Sequence, residues 1–522
     1  VATLGILERL GVKAVTFSDR MGVTLGNTSF LGSYLLFNFF IAGYLFFQQK
    51  RNLATKIVLA ILAVVILAAI YLQGARAALA SCLGGVLLVA VLFVAFKIKN
   101  KGLNFLGRVA LIVGVLAVGV AIVLLYLPNN PVHNLFGKLA TESRFANWEI
   151  AQKGFLERPF FGWGPETYDI LFPKYFNPCL FTTKCGGEFW FDRTHNIILD
   201  TLVATGAFGF LAYLGMFFAV VWVLQKRYFK NKTIDFWTFS IFSSLMAAYF
   251  IQNLTVFDMV GSLMMFALTL SFIAFLANWQ IAQDLKSKSF FNPKTKWPMV
   301  IIAGVGCLAV YYFSYKPWQL DKGIIVAAQS QYQDERLGAY EKCLATSPLG
   351  KYQISDFFAD FSQGVVQNNI EKAKPEDLIR EIEAVVKIME QRKKDSPLDY
   401  RITLKLAQLY NTYAILDQSK LAMAQSYGEM AMAQSPKNQQ SYWVLAQTKL
   451  FNQDFNSASE LAQQAIDLEV NVLRSYEVAS QVAMVSGNQA KAVEIAKKAV
   501  SVNPDWQKEF SSLLPQQATT TK

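Results

Sequence analysis

At 522 residues the chain exceeds one ordinary soluble domain, and with 53% hydrophobic residues, 16% charged residues and 42 Phe it has a membrane composition. A net charge of +12 would suit nucleic acid. The basic excess, however, is concentrated in four short loops between apolar runs, which excludes that partner.

Long apolar runs occupy the chain before about residue 315, and amphipathic spacing follows it. The chain starts at Val1 without the basic start and cleavage site of a signal peptide, so none is expected. Eight segments reach or approach the roughly 20 apolar residues that a crossing helix needs. They lie near 29–47, 55–72, 77–96, 108–127, 201–224, 236–255, 259–279 and 298–315. The loops after the first, third, fifth and seventh carry fifteen basic and two acidic residues, from Lys50 and Arg51 to Lys294 and Lys296. Their balance of +13 exceeds that of the whole chain. By the positive-inside rule these loops are cytoplasmic. Residues 1–28, the Gln73–Arg76 turn, the loop 128–194, the turn near Phe257–Asp258 and everything after about 316 then face outward. The 128–194 loop is neutral, with seven basic and seven acidic residues.

These patterns predict an all-α chain. Its parts are a polytopic membrane domain over 1–315, a linker over 316–335, a soluble α-solenoid over 336–510 and a disordered tail over 511–522. The soluble part repeats. Ala424, Ala458 and Ala492 are 34 residues apart, as are Ala431, Ala465 and Ala499, and Pro436 and Pro504 lie two periods apart. The pattern is clearest over 402–505 and resembles the tetratricopeptide repeat. Such an array either binds a protein partner in its concave face or braces the membrane domain.

The residues able to carry chemistry cluster in the outward loop. His195, just before the apolar run Ile197–Leu202, could titrate near neutrality and act as a general base, or could be a hydrogen-bonded interfacial histidine. His133, in PNNPVHN, reads as a turn residue. Arg144 starts an amphipathic helix with Trp148, Ala151 and Phe155 on one face, ended by Pro159. A cation at a helix start opposes the helix dipole, so Arg144 either meets an anion or is simply exposed. Arg76, between two spans, either faces a cavity or snorkels outward. Arg20 lies on the same side. Three arginines and a histidine on one face would suit a diphosphate, which guanidinium groups bind in bidentate fashion. No HExxH, DxD or paired carboxylates at metal-ligand spacing occur, so neither a metal nor another cofactor is expected. The GWG at 162–164 is a turn rather than a phosphate loop, and there is no Walker loop or GxSxG elbow. Cys179 and Cys185, six apart in the outward loop, would form a disulfide in an oxidising compartment.

At SRFANWEIAQKGFLERPFFGWGPETY and HNIILDTLVATGAFGFLAYLG the chain resembles the O-antigen ligase and Wzy-type polymerase superfamily of bacterial membrane proteins. Two weaker likenesses lie upstream. GVTLGNTSFLGSYL resembles the family's Gly-Asn segment, and QGARAALAS its Ser-Arg-Gly-Ala segment, with Gly74-Ala75 in place of Ser. The resemblance covers about residues 15–280. It implies a metal-independent glycosyltransferase of the inner membrane. This enzyme would move a glycan from an undecaprenyl-diphosphate carrier to a lipid, protein or glycan acceptor outside. It implies that Arg76 and Arg144 hold the diphosphate and that His195 activates or orients the acceptor hydroxyl. Arg20, Asn27, Trp148, Gly162, Gly164 and Asn196 would line the substrate site. Because the family usually has more spans before the Gly-Asn segment, the resemblance also implies an N-terminal truncation. A ligase and a polymerase both fit. The rival class is a non-enzymatic anchor or transporter carrying the repeat array, although no paired broken spans of a transporter are evident.

Overall fold

The computed structural model describes residues 1–12, 21–139, 142–277 and 293–514, and among these there are helices and no strands. The chain forms two compact units. One comprises residues 1–168 and 192–290, and the other comprises 169–191 and 291–522. The segment 169–191, inside the loop read as part of the membrane domain, thus clusters with the C-terminal helices.

In the first unit, a short helix α1 (Ala2–Arg9) precedes α2 (Thr28–Gln48), α3 (Leu53–Leu72), α4 (Arg76–Phe96) and α5 (Lys101–Tyr126). After α6 (Pro131–Leu139), α7 (Ser143–Glu157) and α8 (Tyr168–Lys174) come α9 (Ile197–Gln225), α10 (Phe236–Asn253) and α11 (Val260–Ala277). Asparagine starts several of these helices. Asn27, Asn52, Asn100 and Asn196 each accept a hydrogen bond from a first-turn amide that has no partner within its helix.

Among the described residues, seven helices are long and apolar enough to cross a membrane. The sequence predicts eight. The difference is α10, a helix where one was expected but a more polar one. Thirteen of its eighteen residues are buried, including Thr238, Ser240, Ser244, Gln252 and Asn253. It is a core helix packed against α2 and α4, with Gln252 Nε2 donating to Ser33 Oγ at 2.8 Å. α3 and α5 instead expose runs such as Val58, Ile61 and Val64, or Ile112, Val115 and Leu116. These are the faces a lipid solvent would cover.

Glu8 is buried and unites three elements. Its carboxylate accepts from the amides of Gly22 at 2.8 Å and Val23 at 3.1 Å, and from Gln73 Nε2 at 3.1 Å. Charge-assisted bonds of this kind are stronger than neutral ones. They fix the turn between α3 and α4, from which Arg76 departs.

In the second unit the last apolar helix does not stop at 315. It runs as α12 (Pro293–Val310), a π-helical turn Tyr311–Tyr315 and α13 (Lys316–Gln329), so most of the expected linker is helical. Helices α14 (Gln333–Thr346), α15 (Lys351–Asn369), α16 (Pro375–Asp395), α17 (Tyr400–Leu416) and α18 (Leu421–Gln434) follow. Then come α19 (Gln439–Phe451), α20 (Phe455–Leu468), α21 (Leu473–Val485) and α22 (Gln489–Val502). The 34-residue alanines fall on α18, α20 and α22, and all six are fully buried. Gly428, Ala462 and Ala496 share the spacing and are buried between them. Only a small side chain lets the facing helix approach there. Part of the C-terminal tail, 515–522, lies outside the described residues.

Replacing Ala465 by Leu should therefore overpack α20 against its neighbours and cost about 1–3 kcal/mol. Leu at the exposed Gln463, two residues earlier on the same helix, should be near neutral. Thermal unfolding of the full-length protein, followed by far-UV circular dichroism, checks the contrast.

Candidate functional site

The site is built on a break in α9. Gly206 has φ +67° and ψ −170°, a conformation open essentially to glycine alone, and it interrupts the helical hydrogen bonding. The carbonyls of Val203 and Ala204, which an unbroken helix would pair with the amides of Ala207 and Phe208, turn to the segment 159–164 instead. Trp163 N donates to Val203 O at 2.8 Å and Gly164 N to Ala204 O at 2.9 Å. In return, Ala207 N donates to Pro159 O at 2.8 Å and Phe208 N to Phe160 O at 3.3 Å. These four backbone groups each regain a partner, as a broken helix near lipid requires. The two backbones come so close that a Cβ on Gly206 would lie 2.2 Å from Phe160 O, and one on Gly162 2.5 Å from Val203 O. Gly162 and Gly164 thus act here through their backbones.

The same segment sets α7. Trp163 Nε1 donates to Gly154 O at 2.9 Å, and Arg158 lies over the Trp163 ring at 4.1 Å. α7 then grips the strip Arg193–Asn196. Asn147 Nδ2 donates to Arg193 O at 3.0 Å, and Trp148 Nε1 to Thr194 O at 3.1 Å. Tyr168 OH donates to Asn147 Oδ1 at 2.6 Å and so orients that amide. Asn196 caps α9, accepting from the amides of Ile198 and Leu199, and its Nδ2 donates to Leu254 O at 3.0 Å. Trp148 and Asn196 are both buried, so they position the strip.

His195 sits in this strip with φ +54°, the left-handed region that a side chain seldom occupies. Such strain, of order 1–3 kcal/mol, persists only where the surroundings impose it, and here hydrogen bonds hold the residues on both sides. His195 Nδ1 lies 3.1 Å from Arg193 O. A carbonyl only accepts, so Nδ1 carries the proton and the neutral ring has its lone pair on Nε2. Burial pulls the His195 pKa below the ordinary histidine value, and the positive charge of Arg144 acts in the same direction, against the Arg193 carbonyl. The imidazole is therefore in its basic form at neutral pH.

The turn 254–258, between α10 and α11, gathers the other groups. Thr255 O accepts from Arg144 Nη1. The Phe257 ring meets His195 edge-on at 5.0 Å, lies under the Arg193 guanidinium at 4.9 Å and meets Phe30 of α2 at 5.7 Å. Asp258 anchors the turn. It accepts from Tyr249 OH, from Asn253 Nδ2 at 2.7 Å and from Tyr213 OH at 3.3 Å. Burial pushes its carboxyl above the usual range, against these bonds, which favour the charged form. Arg193 is further held by Asp200, with Nε–Oδ1 at 3.0 Å and Nη2–Oδ2 at 2.5 Å, and by Glu166 at 2.9 Å.

The structure brings together Arg144, His195, Asn196 and Trp148. Asn27 lies one turn before Phe30, and its side chain caps α2 by accepting from Ser29 N at 2.7 Å. Arg76 is exposed at the start of α4, where its backbone amide donates to Gly74 O at 2.8 Å. Arg20 lies outside the described residues. His133 stacks on Phe145 at 3.9 Å, with Nδ1 3.0 Å from Leu125 O, a packing role. Among the described residues no group of three His, Cys, Asp or Glu could hold a metal. Cys179 and Cys185 are disulfide-bonded. Sequence reading does not single out Arg193, Asp200 or Asp258. The charge of Arg193 two residues before His195, and of Asp200 one turn into an apolar helix, were the available signals.

Residues 61–214 match a family model described as O-Antigen ligase. No curated protein matches the chain. The matched stretch holds Arg76, Arg144, the 162–164 turn and His195, and it ends before the turn 254–258. Together with the apolar helices, it supports a multi-pass membrane protein of O-antigen ligase-like function.

Three substitutions probe the scaffold. Gly206→Ala should lower the thermal midpoint of the detergent-solubilised protein, the backbone conformation alone costing about 1–3 kcal/mol. Gly215→Ala, in the same helix with open space around it, should not. Asp258→Asn leaves buried hydroxyl and amide donors short of an acceptor, and should cost about 1–3 kcal/mol in the same assay.

Proposed function

We propose that this protein is a membrane glycosyltransferase that moves a glycan from an undecaprenyl-diphosphate carrier to an acceptor hydroxyl on the outer side of the cytoplasmic membrane. The observation that carries the reading is His195. It is a neutral imidazole in a strained, fully braced conformation, and one short turn ties it to the Arg144 cation. A base and a fixed cation held together are what an uncatalysed displacement lacks.

In the proposed reaction the acceptor O–H gives its proton to His195 Nε2. The acceptor oxygen bonds to the anomeric carbon as the bond from that carbon to the diphosphate oxygen breaks. The electron pair leaves with the lipid diphosphate, whose charge Arg144 meets, with Arg76 reaching it from the start of α4. In-line attack inverts the anomeric configuration. Arg193, tied to Asp200 and Glu166, presents the carbonyl that fixes the His195 tautomer and is a positioning residue. The loop 128–194 and the helical repeats, which resemble tetratricopeptide repeats, lie on the same outer side in this reading. The basic loops on the other side favour that orientation.

The test is glycan transfer in membranes from cells making the protein, with products resolved by size. At matched protein levels, His195→Ala and Arg144→Ala should each lower transfer at least about a hundredfold, the usual scale of a lost acid–base or charge-stabilising group. Wild-type rates in both would make the membrane domain an anchor or a transporter. A ladder of lengthening lipid-linked chains would identify a polymerase, and one block on a new acceptor a ligase.

The pH profile follows from the lowered His195 pKa. The base form survives below the ordinary histidine pKa of about 6.5. kcat/KM should therefore stay level down to that pH and fall only as pH drops further, through the depressed pKa. In Arg144→Gln, which lacks the nearby positive charge, the residual rate should begin to fall at higher pH. A wild-type fall centred above the ordinary histidine range would remove His195 as the base.

A further inference from the structure

The second unit carries a groove of about 540 Å³ that runs across α15, α17, α19 and α21. Its lining is unusual in chemistry. Six glutamines face it, Gln363, Gln367, Gln408, Gln440, Gln447 and Gln481, together with Trp443. The fixed charges at its edge are already paired, Lys405 with Asp360 and Arg474 with Glu477. Gln363 and Gln367 donate to Thr412 Oγ1 at 3.0 and 3.3 Å. The side-chain amides of Gln408, Gln440, Gln447 and Gln481 make no hydrogen bond among the described residues. The Trp443 ring is fixed by its Nε1 bond to Ser475 Oγ at 3.1 Å.

We infer that this groove binds an uncharged stretch of oligosaccharide, the glycan that the enzyme transfers or extends. A carboxamide sets a donor beside an acceptor, which matches a pair of neighbouring sugar hydroxyls. A tryptophan face suits the apolar C–H face of a pyranose. Paired charges leave no cation to select an acidic ligand and no anion to select a basic one. The volume lies in the range of ordinary ligand sites.

One end of the groove is shaped by the chain itself. Phe181 packs on Trp443 at 5.3 Å, and Trp190 lies against Arg401 at 4.9 Å. Phe189 and Trp190 line an adjoining recess of about 220 Å³, which shares Asp360, Lys405, Gln408 and Gln440 with the groove. Phe181 lies within the stretch closed by the Cys179–Cys185 disulfide, and Phe189 and Trp190 follow it. A glycan in the groove would thus lie against the segment 169–191. The identity of the ligand rests on the proposed transferase reading.

The experiment uses purified full-length protein in detergent and, as probe, the surface polysaccharide released by mild acid from the producing cells. Binding is followed by thermophoresis. Wild type should bind, and Gln447→Ala/Gln481→Ala should bind about tenfold more weakly at an unchanged thermal midpoint, since both residues are exposed. His195→Ala should bind like wild type while losing transfer. No binding by the wild type, or equal binding by the double variant, overturns the inference even if transfer proceeds normally. A Gly-Ser peptide that competes with the polysaccharide for the groove would also overturn it, in favour of a polypeptide ligand. Retained transfer in His195→Ala with groove binding intact would instead sink the catalytic reading and leave the groove standing.

Discussion

The exchange of backbone hydrogen bonds at the α9 break supports the rest of the site. Where a helix stops near lipid, its loose amides and carbonyls must be paired, because no water reaches them. Here the carbonyls of Val203 and Ala204 and the amides of Ala207 and Phe208 find their partners on the segment 159–164. The arrangement works only with glycine at 162 and 206, where two main chains nearly touch. From that joint the order of dependence runs outward. Trp163 holds the end of α7, α7 holds the strip 193–196, and the strip holds His195 in a conformation it would not adopt alone.

A second support comes from far along the chain. The turn 254–258 accepts bonds from Arg144 and Asn196 and offers the Phe257 ring to His195 and Arg193. Its own geometry depends on Asp258 and the tyrosine and asparagine donors around it. The reacting groups are therefore held between two elements, α7 before them and the turn after them. Displacing either would shift Arg144 and His195 relative to each other, and small displacements of that kind cost rate steeply.

Much of this was legible in the sequence and some was not, for physical reasons. Apolar length reveals helices, and a lone histidine or arginine at the end of an apolar run is conspicuous. His195 stood out for that reason, and Arg144 as a cation at the start of an amphipathic helix. Trp148 and Asn196 were visible as part of the same pattern, but a residue that binds substrate and one that braces the backbone look alike until burial is known. Arg193 with Asp200 is an ion pair between a strip and a helix, and no periodicity marks it. Asp258 lies beyond the recognisable motifs and acts through three-dimensional contacts. α10 reads as a span by its apolar residues, whereas its serines, Gln252 and Asn253 are turned inward, which a linear count does not register. The repeat spacing was plain because close packing demands small side chains at fixed places. The helicity of 316–329 was hidden by a polar composition that suits a linker equally well.

The membership of 169–191 in the second unit has a consequence for how the protein is made. Phe181 packs on Trp443 and Trp190 against Arg401, yet the helices that carry these partners are encoded far downstream. Ser435, which donates to Pro173 O at 2.8 Å, follows it by 262 residues. At roughly 5–20 residues per second, these aromatics wait tens of seconds after synthesis before their partners exist. During that interval the loop between α7 and α9 is an unfinished surface. The disulfide spans only six residues and can close long before the distant helices arrive. The segment 169–191 thus reaches its final form only after the helices that carry Trp443 and Arg401 have been translated and folded, so this stretch is finished long after its own synthesis.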